Sequence, residues 1–223
     1  MKRRIYVLYC FLGIACCLIW QSPALATGVV TAIQQRYERL ASYAADFEQT
    51  ITHRESGSTE RRQGRLLFKK PLLIHWQTNK PHEELLLVTS KEVWNYLPDE
   101  EIAWRYPLSV MQGSQGVIQV LTGQTALDRD FEVREEGRED GFRKLRLYPK
   151  EPSPQMVEAL LWVDNNALIR RVSVLDFYGN GNDVRFTSFK ADAPVRAADF
   201  TFQPPAGVDV ENRDGTEGVQ FFD

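Results

Sequence analysis

The sequence is poor in the residues that most often bind metals or act as nucleophiles. Its 223 residues include 3 Cys and 3 His, and none of them has the spacing of a zinc site or of an H-E-x-x-H motif. The G-x-S-x-G nucleophile elbow and the glycine-rich phosphate loops are also absent. The formal net charge of −3 excludes the basic surplus of a general nucleic-acid-binding protein. These absences favour a binding protein over an enzyme, and we predict no metal and no cofactor.

The cysteines all lie in an N-terminal segment that has the features of a secretory signal peptide: Cys10, Cys16 and Cys17. Residues 2–4 are basic, and residues 5–20 form an uncharged, mostly apolar run. Ala24 and Ala26 then supply small residues at positions −3 and −1 of a cleavage site. We therefore predict that residues 1–26 are a signal peptide and that residues 27–223, which contain no cysteine, form one domain.

Two other interpretations of this leader are weaker. A membrane anchor needs about 20 apolar residues, and the run at 5–20 is shorter. A lipoprotein signal ending at Cys16 or Cys17 would usually have Leu three residues before the cysteine, and Gly13 holds that place before Cys16. Cleavage after Ala26 is the prediction that we keep.

Hydrophobic periodicity predicts one helix followed mostly by strands. Apolar residues recur every three or four positions across residues 29–41, which is typical of an amphipathic helix. From Ser42 the period changes to two, and turn-forming residues separate the short runs that follow. We predict strands at 43–51, 65–69, 72–77, 84–89, 92–97, 102–106, 131–135, 142–148, 157–163, 169–177 and 184–189. About eleven strands at this spacing indicate an antiparallel meander, interrupted only by a two-turn helix at 114–122.

Several of these strands are apolar on both faces, most clearly at 85–88 and 159–163. A sheet with one face in water should alternate more cleanly. The pattern fits a β-sandwich or closed barrel with a packed core. It also fits one large curled sheet covered by the helices at 29–41 and 114–122. The second arrangement leaves an apolar space between sheet and helices, which is a typical site for an apolar ligand.

Taken together, several segments resemble the LolA family of periplasmic carriers of outer-membrane lipoproteins. The segments are A-D-F-E-Q at 45–49, G-R-L-L-F-K-K-P at 64–71 with Trp76 after it, L-V at 87–88 with V-W-N-Y at 93–96, and D-F-T-F-Q-P-P-A-G-V-D-V at 199–210. The resemblance implies a mainly β fold with α, in which an unclosed antiparallel β-barrel of about eleven strands is covered by a helical lid. It implies a periplasmic chaperone that shields the acyl chains of lipoproteins in an apolar cavity and carries them to the outer membrane.

The resemblance also implies the partners. Acylated lipoproteins are the cargo, an inner-membrane ABC-type complex releases them to the carrier, and an outer-membrane lipoprotein receptor takes them over. We expect a monomer that binds no nucleic acid and catalyses no reaction. A carrier of another amphiphile on the same fold, such as a phospholipid or glycolipid, is the second hypothesis. A lipid hydrolase is a third, disfavoured because no nucleophile–base pair is visible.

Two sets of site residues follow. Apolar residues at alternating positions of neighbouring strands are predicted to face the helices and line the ligand space: Leu66, Phe68, Ile74, Trp76, Trp94, Tyr96, Ile102 and Trp104. The alternative is that they form an ordinary filled core.

The resemblance makes Lys70 the lid latch, because the family has Arg at this place before the proline. We expect its ammonium to reach carbonyls at the end of a lid helix, within or beside residues 114–123. The alternative is a solvated corner at Lys69 and Lys70.

Overall fold

The computed structural model describes residues 27–111, 117–151 and 153–214. The predicted signal peptide lies outside these residues. Within them, no helix combines the length and the apolar character that crossing a membrane requires.

Helices make up a small part of the described chain. They are α1 (Thr27–Arg39), α2 (Val117–Thr122) and α3 (Leu127–Asp130), with short 3-10 turns at Pro98–Glu100, Leu108–Met111 and Ala197–Phe200. The predicted helix at 29–41 therefore begins and ends two residues earlier than its periodicity indicated. The predicted helix at 114–122 is observed from Val117, and residues 112–116 lie outside the described residues.

Twelve strands account for most of the rest. They are β1 (Ser42–Thr52), β2 (Thr59–Lys69), β3 (Leu73–Lys80), β4 (Glu84–Val88), β5 (Glu92–Leu97), β6 (Ile102–Pro107), β7 (Phe131–Glu139), β8 (Phe142–Pro149), β9 (Glu158–Val163), β10 (Ile169–Leu175), β11 (Gly181–Ala191) and β12 (Asp209–Asn212). They form one sheet in the order β12-β6-β5-β4-β3-β2-β1-β11-β10-β9-β8-β7. Pairing of β1 with β11 joins the two halves of the chain. Because the order starts at β12 and ends at β7, the sheet is not closed, which confirms the predicted fold class.

The twelfth strand is the one that periodicity did not predict. β12 pairs in parallel with β6, the only parallel neighbour among the described strands. The amide of Asp209 donates to the carbonyl of Glu101 at 2.8 Å, and the amide of Arg213 donates to that of Arg105 at 2.9 Å. Three of the four residues of β12 are exposed, and side-chain hydrogen bonds from Trp104 to Glu211 and from Arg105 to Asn212 add to the backbone pairing. A strand without a buried face has no alternating apolar pattern to detect.

One face of the sheet, called here the inner face, carries the main core. α1 buries Val29, Val30, Ile33 and Tyr37 against it, and α2 buries Val117, Ile118, Val120 and Leu121 in the same cluster. Aromatic contacts extend along this face, where the Phe47 and Trp76 ring centroids lie 4.5 Å apart. Both helices therefore cover the same side of the sheet.

A second, smaller cluster lies on the opposite, outer face. Leu85, Leu87, Trp94 and Ala103 are buried there, with Tyr96, Phe202 and Val208 packed against them. Phe202 and Val208 belong to the segment that leads into β12, which crosses the outside of β4 and β5. This cover explains why the run at 85–88 is apolar on both faces: Leu86 and Val88 face the helices, and Leu85 and Leu87 face the C-terminal segment.

Candidate functional site

The inner face collects most of the side chains that the sequence proposed as a ligand surface. Leu66, Phe68, Ile74 and Trp76 are buried there in one cluster with α1 and α2. Trp104 is half-buried and packs against the same cluster. Ile102 precedes Trp104 by two residues on β6 and so shares its face. Their contact with an acyl chain stays a prediction.

Trp94 and Tyr96 do not face the helices, and that part of the prediction is wrong. Both pack on the outer face against Phe202, with ring centroids 5.4 Å and 5.1 Å away. The reason is strand alternation: Val93 takes the inner position on β5, so Trp94 must point outward. Their aromatic character indicated burial but not the face.

The inner face is closed in this structure. Helices α1 and α2 fill the space over it, and the side chains of Phe68, Ile74 and Trp76 are at most 1% exposed. An acyl chain could reach them only if the helices moved away from the sheet. The contacts that hold the helices in place therefore also keep this apolar face covered.

A pocket of about 450 Å³ opens at the seam between the helices. Its apolar wall is made of Ile33, Val120, Leu127 and Ile169, and its polar rim includes Gln34, Glu38, Lys70, Gln124 and Arg129. Two side-chain amides bridge the seam. Gln34 Nε2 of α1 donates to Asp128 Oδ1 of α3 at 2.8 Å, and Gln124 Nε2 donates to the carbonyl of Pro71 at 2.9 Å.

Lys70 lies on this rim, at the corner between β2 and β3. Its ammonium donates a 2.5 Å hydrogen bond to the carbonyl oxygen of Glu38, in the last turn of α1. The last carbonyls of a helix have no partner within the helix and carry partial negative charge, so a cation is favoured there. The structure thus places Lys70 at a helix end, but at that of α1. The expected contact at 114–123 is not observed at residues 117–123, and residues 114–116 lie outside the described residues. The contact with α1 forms because the chain leaves α1 directly beside the corner: the amide of Lys70 donates to the carbonyl of Ala41 at 2.9 Å.

The end of α2 is held by a residue that sequence reasoning missed. The hydroxyl of Tyr43 on β1 donates to the carbonyl oxygen of Leu121 at 3.0 Å, and both groups are buried. The ring of Tyr43 stacks on Phe189 with centroids 4.8 Å apart. The sequence did contain a signal for Tyr43: it occupies an inner-face position in the alternation of β1, and a buried tyrosine hydroxyl needs a hydrogen-bond partner.

Tyr37 completes the contact between the two helices. Its ring packs against Gly123, where an added Cβ would lie 2.6 Å from the ring. Its hydroxyl oxygen accepts a 3.4 Å hydrogen bond from the amide of Ile169. Burial raises the pKa of both Tyr37 and Tyr43 far above the ordinary value, so both hydroxyls are uncharged at physiological pH.

The side chains that meet at this site offer apolar surface and hydrogen bonds. In the ranges that the structure describes, no three His, Asp or Glu side chains are grouped to hold a metal ion. His75 is engaged elsewhere, since its Nδ1 donates to the carbonyl of Asp199 at 2.7 Å on the outer side of the sheet. The arrangement can enclose an apolar ligand and control access to it.

An unclosed antiparallel sheet with helices over an apolar inner face is the architecture of a known protein class. The family model described as "Outer membrane lipoprotein carrier protein LolA" matches residues 38–203. This chain belongs to that family.

Relatives agree with the assignment, and solved structures share the fold. The outer-membrane lipoprotein carrier protein of Chromobacterium violaceum is 29% identical over 171 residues, which cover 77% of this chain and 81% of the relative. That of Serratia proteamaculans is 25% identical over 203 residues, covering 90% and 97%. An uncharacterized conserved protein from Thermus thermophilus superposes with a TM-score of 0.55 at 18% identity, over 84% of this chain and 99% of that one. Mycobacterium tuberculosis lipoprotein LppX gives 0.50 at 15% identity, over 77% and 98%. The two structures support the fold alone.

Proposed function

We propose that this protein is a periplasmic chaperone that shields the acyl chains of lipoproteins against its inner face and carries them from the inner to the outer membrane. The observation that carries the proposal is an extended apolar face covered by two helices whose C-terminal ends are each tied to the sheet by one side-chain donor. Membership of the LolA family supports the same role.

The energetics of the task match this construction. Each methylene removed from water contributes about 0.8 kcal/mol, so lipoproteins with two or more acyl chains stay on a membrane unless their chains are covered. A carrier must also release them. A hydrogen bond such as Lys70 to Glu38 contributes about 1 kcal/mol, so each tie at a helix end is weak. The larger apolar contacts of α1 and α2 with the inner face would be replaced by contacts of that face with the acyl chains of the cargo.

We also propose a route for the cargo and two partners for the carrier. The chain is processed after Ala26, receives cargo from an ABC-type releasing complex in the inner membrane, and delivers it to a lipoprotein receptor at the outer membrane. It breaks no covalent bond, so energy for extraction has to come from the inner-membrane complex. N-terminal sequencing of the periplasmic protein should begin at Thr27, and a lipid-modified start at Cys16 or Cys17 would contradict a free carrier.

The cargo is tested by mass spectrometry of molecules that copurify with the protein from periplasm. We expect acylated polypeptides. Recovery of phospholipid or glycolipid without polypeptide would select the alternative, a carrier of another amphiphile on the same fold.

β4 offers a matched control for this experiment. Leu86 and Leu87 are adjacent, equally large and both buried, but Leu86 faces the helices and Leu87 faces the C-terminal segment. Either change to Ala should destabilise the protein by about 2–5 kcal/mol. Only Leu86→Ala should also alter the amount of cargo recovered per folded protein. Equal recovery from both variants would count against the inner face as the binding surface.

A further inference from the structure

The exposed large apolar side chains of the described residues are concentrated in one place. They are Val157, Leu175, Phe177, Tyr178 and Val210. All except Val210 lie where β10 ends and turns toward β11, beside the segment that leads into β9. We call Val157, Leu175, Phe177 and Tyr178 the apolar tip. The amide of Val157 donates to the carbonyl of Leu175 at 2.8 Å, so the two segments form one surface.

The two aromatic side chains are held outward by an ordered turn. Phe177 is 72% exposed and Tyr178 is 68% exposed, and their rings meet edge to face with centroids 5.7 Å apart. Beneath them, Asp176 Oδ1 accepts the amide of Asn180 at 2.7 Å and Asp176 Oδ2 accepts Asn180 Nδ2 at 2.9 Å. These bonds engage the Asp176 carboxylate and the Asn180 side chain, and the amide of Phe177 donates to the carbonyl of Pro154 at 3.0 Å, while both rings face the surroundings.

The neighbouring β1–β2 turn supports this one. The amide of Arg54 donates to Asn180 Oδ1 at 3.0 Å. The Arg54 side chain also lies directly against Gly179, where an added Cβ would be 2.5 Å from the Arg54 Cδ atom. Gly179 has a φ of +83°, which a larger residue would adopt only with strain. The tip is therefore braced from a second strand pair.

The charges around the tip are largely balanced. The Asp176 carboxylate is bound within its turn, and Glu158 is ion-paired with Arg146. Arg54 and Glu55 are both exposed and adjacent in the chain. These five described side chains carry three negative charges and two positive ones, so they form no basic patch, and a partner would be recognised mainly through apolar contact.

The size and chemistry of the apolar tip favour a lipid bilayer over a protein as its partner. A stable protein–protein interface buries about 800 Å² on each side, whereas a fully buried aromatic side chain contributes only about 150–250 Å². Four partly exposed side chains fall well short of such an interface. A phenylalanine and a tyrosine that are both mostly exposed on one turn suit the surface of a lipid bilayer, where tyrosine is enriched at the headgroup level and phenylalanine packs at the acyl boundary.

We propose that the apolar tip is a membrane-docking element that inserts Phe177 and Tyr178 into the surface of a lipid bilayer. The inference goes beyond the carrier role and is independent of the cargo. Docking is measured on cargo-free protein, so its failure and failure of the proposed carrier function give different results.

The first experiment uses the absence of cysteine after residue 26. A Tyr178→Cys variant of the processed chain is labelled with an environment-sensitive fluorophore and mixed with vesicles of phosphatidylcholine, or of phosphatidylcholine with phosphatidylglycerol. We expect a blue shift and stronger emission with both. Val210→Cys on β12 is the matched control, exposed but distant in the sheet from the tip, and should show neither change. An unchanged emission at position 178 would overturn the proposal.

Vesicle sedimentation gives the second test. Replacing both rings, by Phe177→Ser with Tyr178→Ser, should reduce the vesicle partition coefficient about a hundredfold, because burial of each aromatic ring contributes about a factor of ten. Val210→Ser should leave binding unchanged. Matched urea midpoints show that the variants are folded. Equal sedimentation of the wild type and the double variant, or no sedimentation of the wild type, would refute membrane docking.

Discussion

The hydroxyl of Tyr43 on β1 donates a 3.0 Å hydrogen bond to the carbonyl oxygen of Leu121 in the last turn of α2. Lys70 makes the corresponding contact to Glu38 at the end of α1. Each of the two helices that cover the inner face is thus tied to the sheet through a C-terminal carbonyl. The Tyr43 contact is buried and the Lys70 contact lies at the rim. Loss of the first should therefore cost more unfolding free energy than loss of the second.

Tyr43→Phe should loosen α2 without unfolding the protein. The change keeps the ring stack on Phe189 and leaves a buried carbonyl without its donor, which costs about 1–3 kcal/mol. Amide hydrogen exchange at α2 should accelerate, and urea unfolding should show the lost stability. Tyr96→Phe makes the same chemical change on the outer face and should leave exchange in α2 as it is. Slow exchange of α2 in both variants would show that the Tyr43 hydroxyl does not hold this helix.

Lys70→Met should affect the mobility of α1 far more than overall stability. A cation at an exposed helix C-terminus is worth about 0.3–1 kcal/mol, so amide exchange at the end of α1 should accelerate a few-fold while the urea midpoint barely moves. Under the carrier proposal, cargo transfer to a receptor should also change, and Lys70→Arg should preserve closure through its larger set of donors.

Lys69→Met is the control for this prediction, because it removes the neighbouring charge from the same corner. If Lys69→Met and Lys70→Met were indistinguishable from wild type in exchange and in transfer, the corner would be merely solvated and Lys70 would not be a latch.

Gly123→Ala should be among the more damaging small substitutions in the chain. Gly123 has a φ of +69°, and its new Cβ would meet the ring of Tyr37 at 2.6 Å. Backbone strain costs about 1–2 kcal/mol, and displacing the packed ring adds about 1–3 kcal/mol. Gly57→Ala isolates the first contribution, since Gly57 has a φ of +67° with no atom within 4 Å of an added Cβ. If Gly123→Ala and Gly57→Ala lost equal unfolding free energy, the contact with the Tyr37 ring would not contribute to the damage at Gly123.

Glu84 should make the unfolding free energy of the protein decrease as the pH rises. Burial raises the pKa of Glu84 above its ordinary value of 4.5, although Arg62 and Asn95 partly offset this. A raised carboxyl pKa means that the folded state binds the proton more tightly than the unfolded state, so its stabilising contribution is present at low pH and is lost as pH rises through the folded pKa. The unfolding free energy of wild type minus that of Glu84→Gln should therefore fall as the pH rises above the ordinary carboxyl pKa of 4.5. Urea titrations of both proteins at several pH values measure it, and a difference that grew with pH would contradict the assignment.

Local pattern predicted the elements whose side chains have a buried and an exposed side. The alternation after Ser42 predicted β1, and spacings of three and four predicted α1 within two residues. β2 was predicted from residue 65 but begins at Thr59. Its first residues are mostly polar and exposed and are held by pairing with β1, so they carry no apolar period.

The LolA-like motifs directed attention to the right corner but not to its contacts. Lys70 could be singled out because it precedes Pro71 after a conspicuous strand. Its ammonium contacts the end of α1 because the chain folds back there, about thirty positions earlier in the sequence. Local residue spacing around Lys70 does not predict that contact. Tyr43 shows the same limit, because its partner Leu121 is far along the chain.

The order of polar and apolar residues by itself determined that this protein has many short antiparallel strands and two of its helices, near residues 29–41 and 114–122, because the alternating or helical spacing of apolar side chains is a local property of the chain. Only the tertiary structure decided which face each strand turns to the helices, which sent Trp94 and Tyr96 outward to Phe202 while Trp76 turned inward. It also decided that β12 adds in parallel to β6 and that Tyr43 and Lys70 meet the ends of different helices. Those outcomes depend on contacts between residues distant in sequence, where sheet register and backbone hydrogen bonds, rather than side-chain periodicity, fix the geometry.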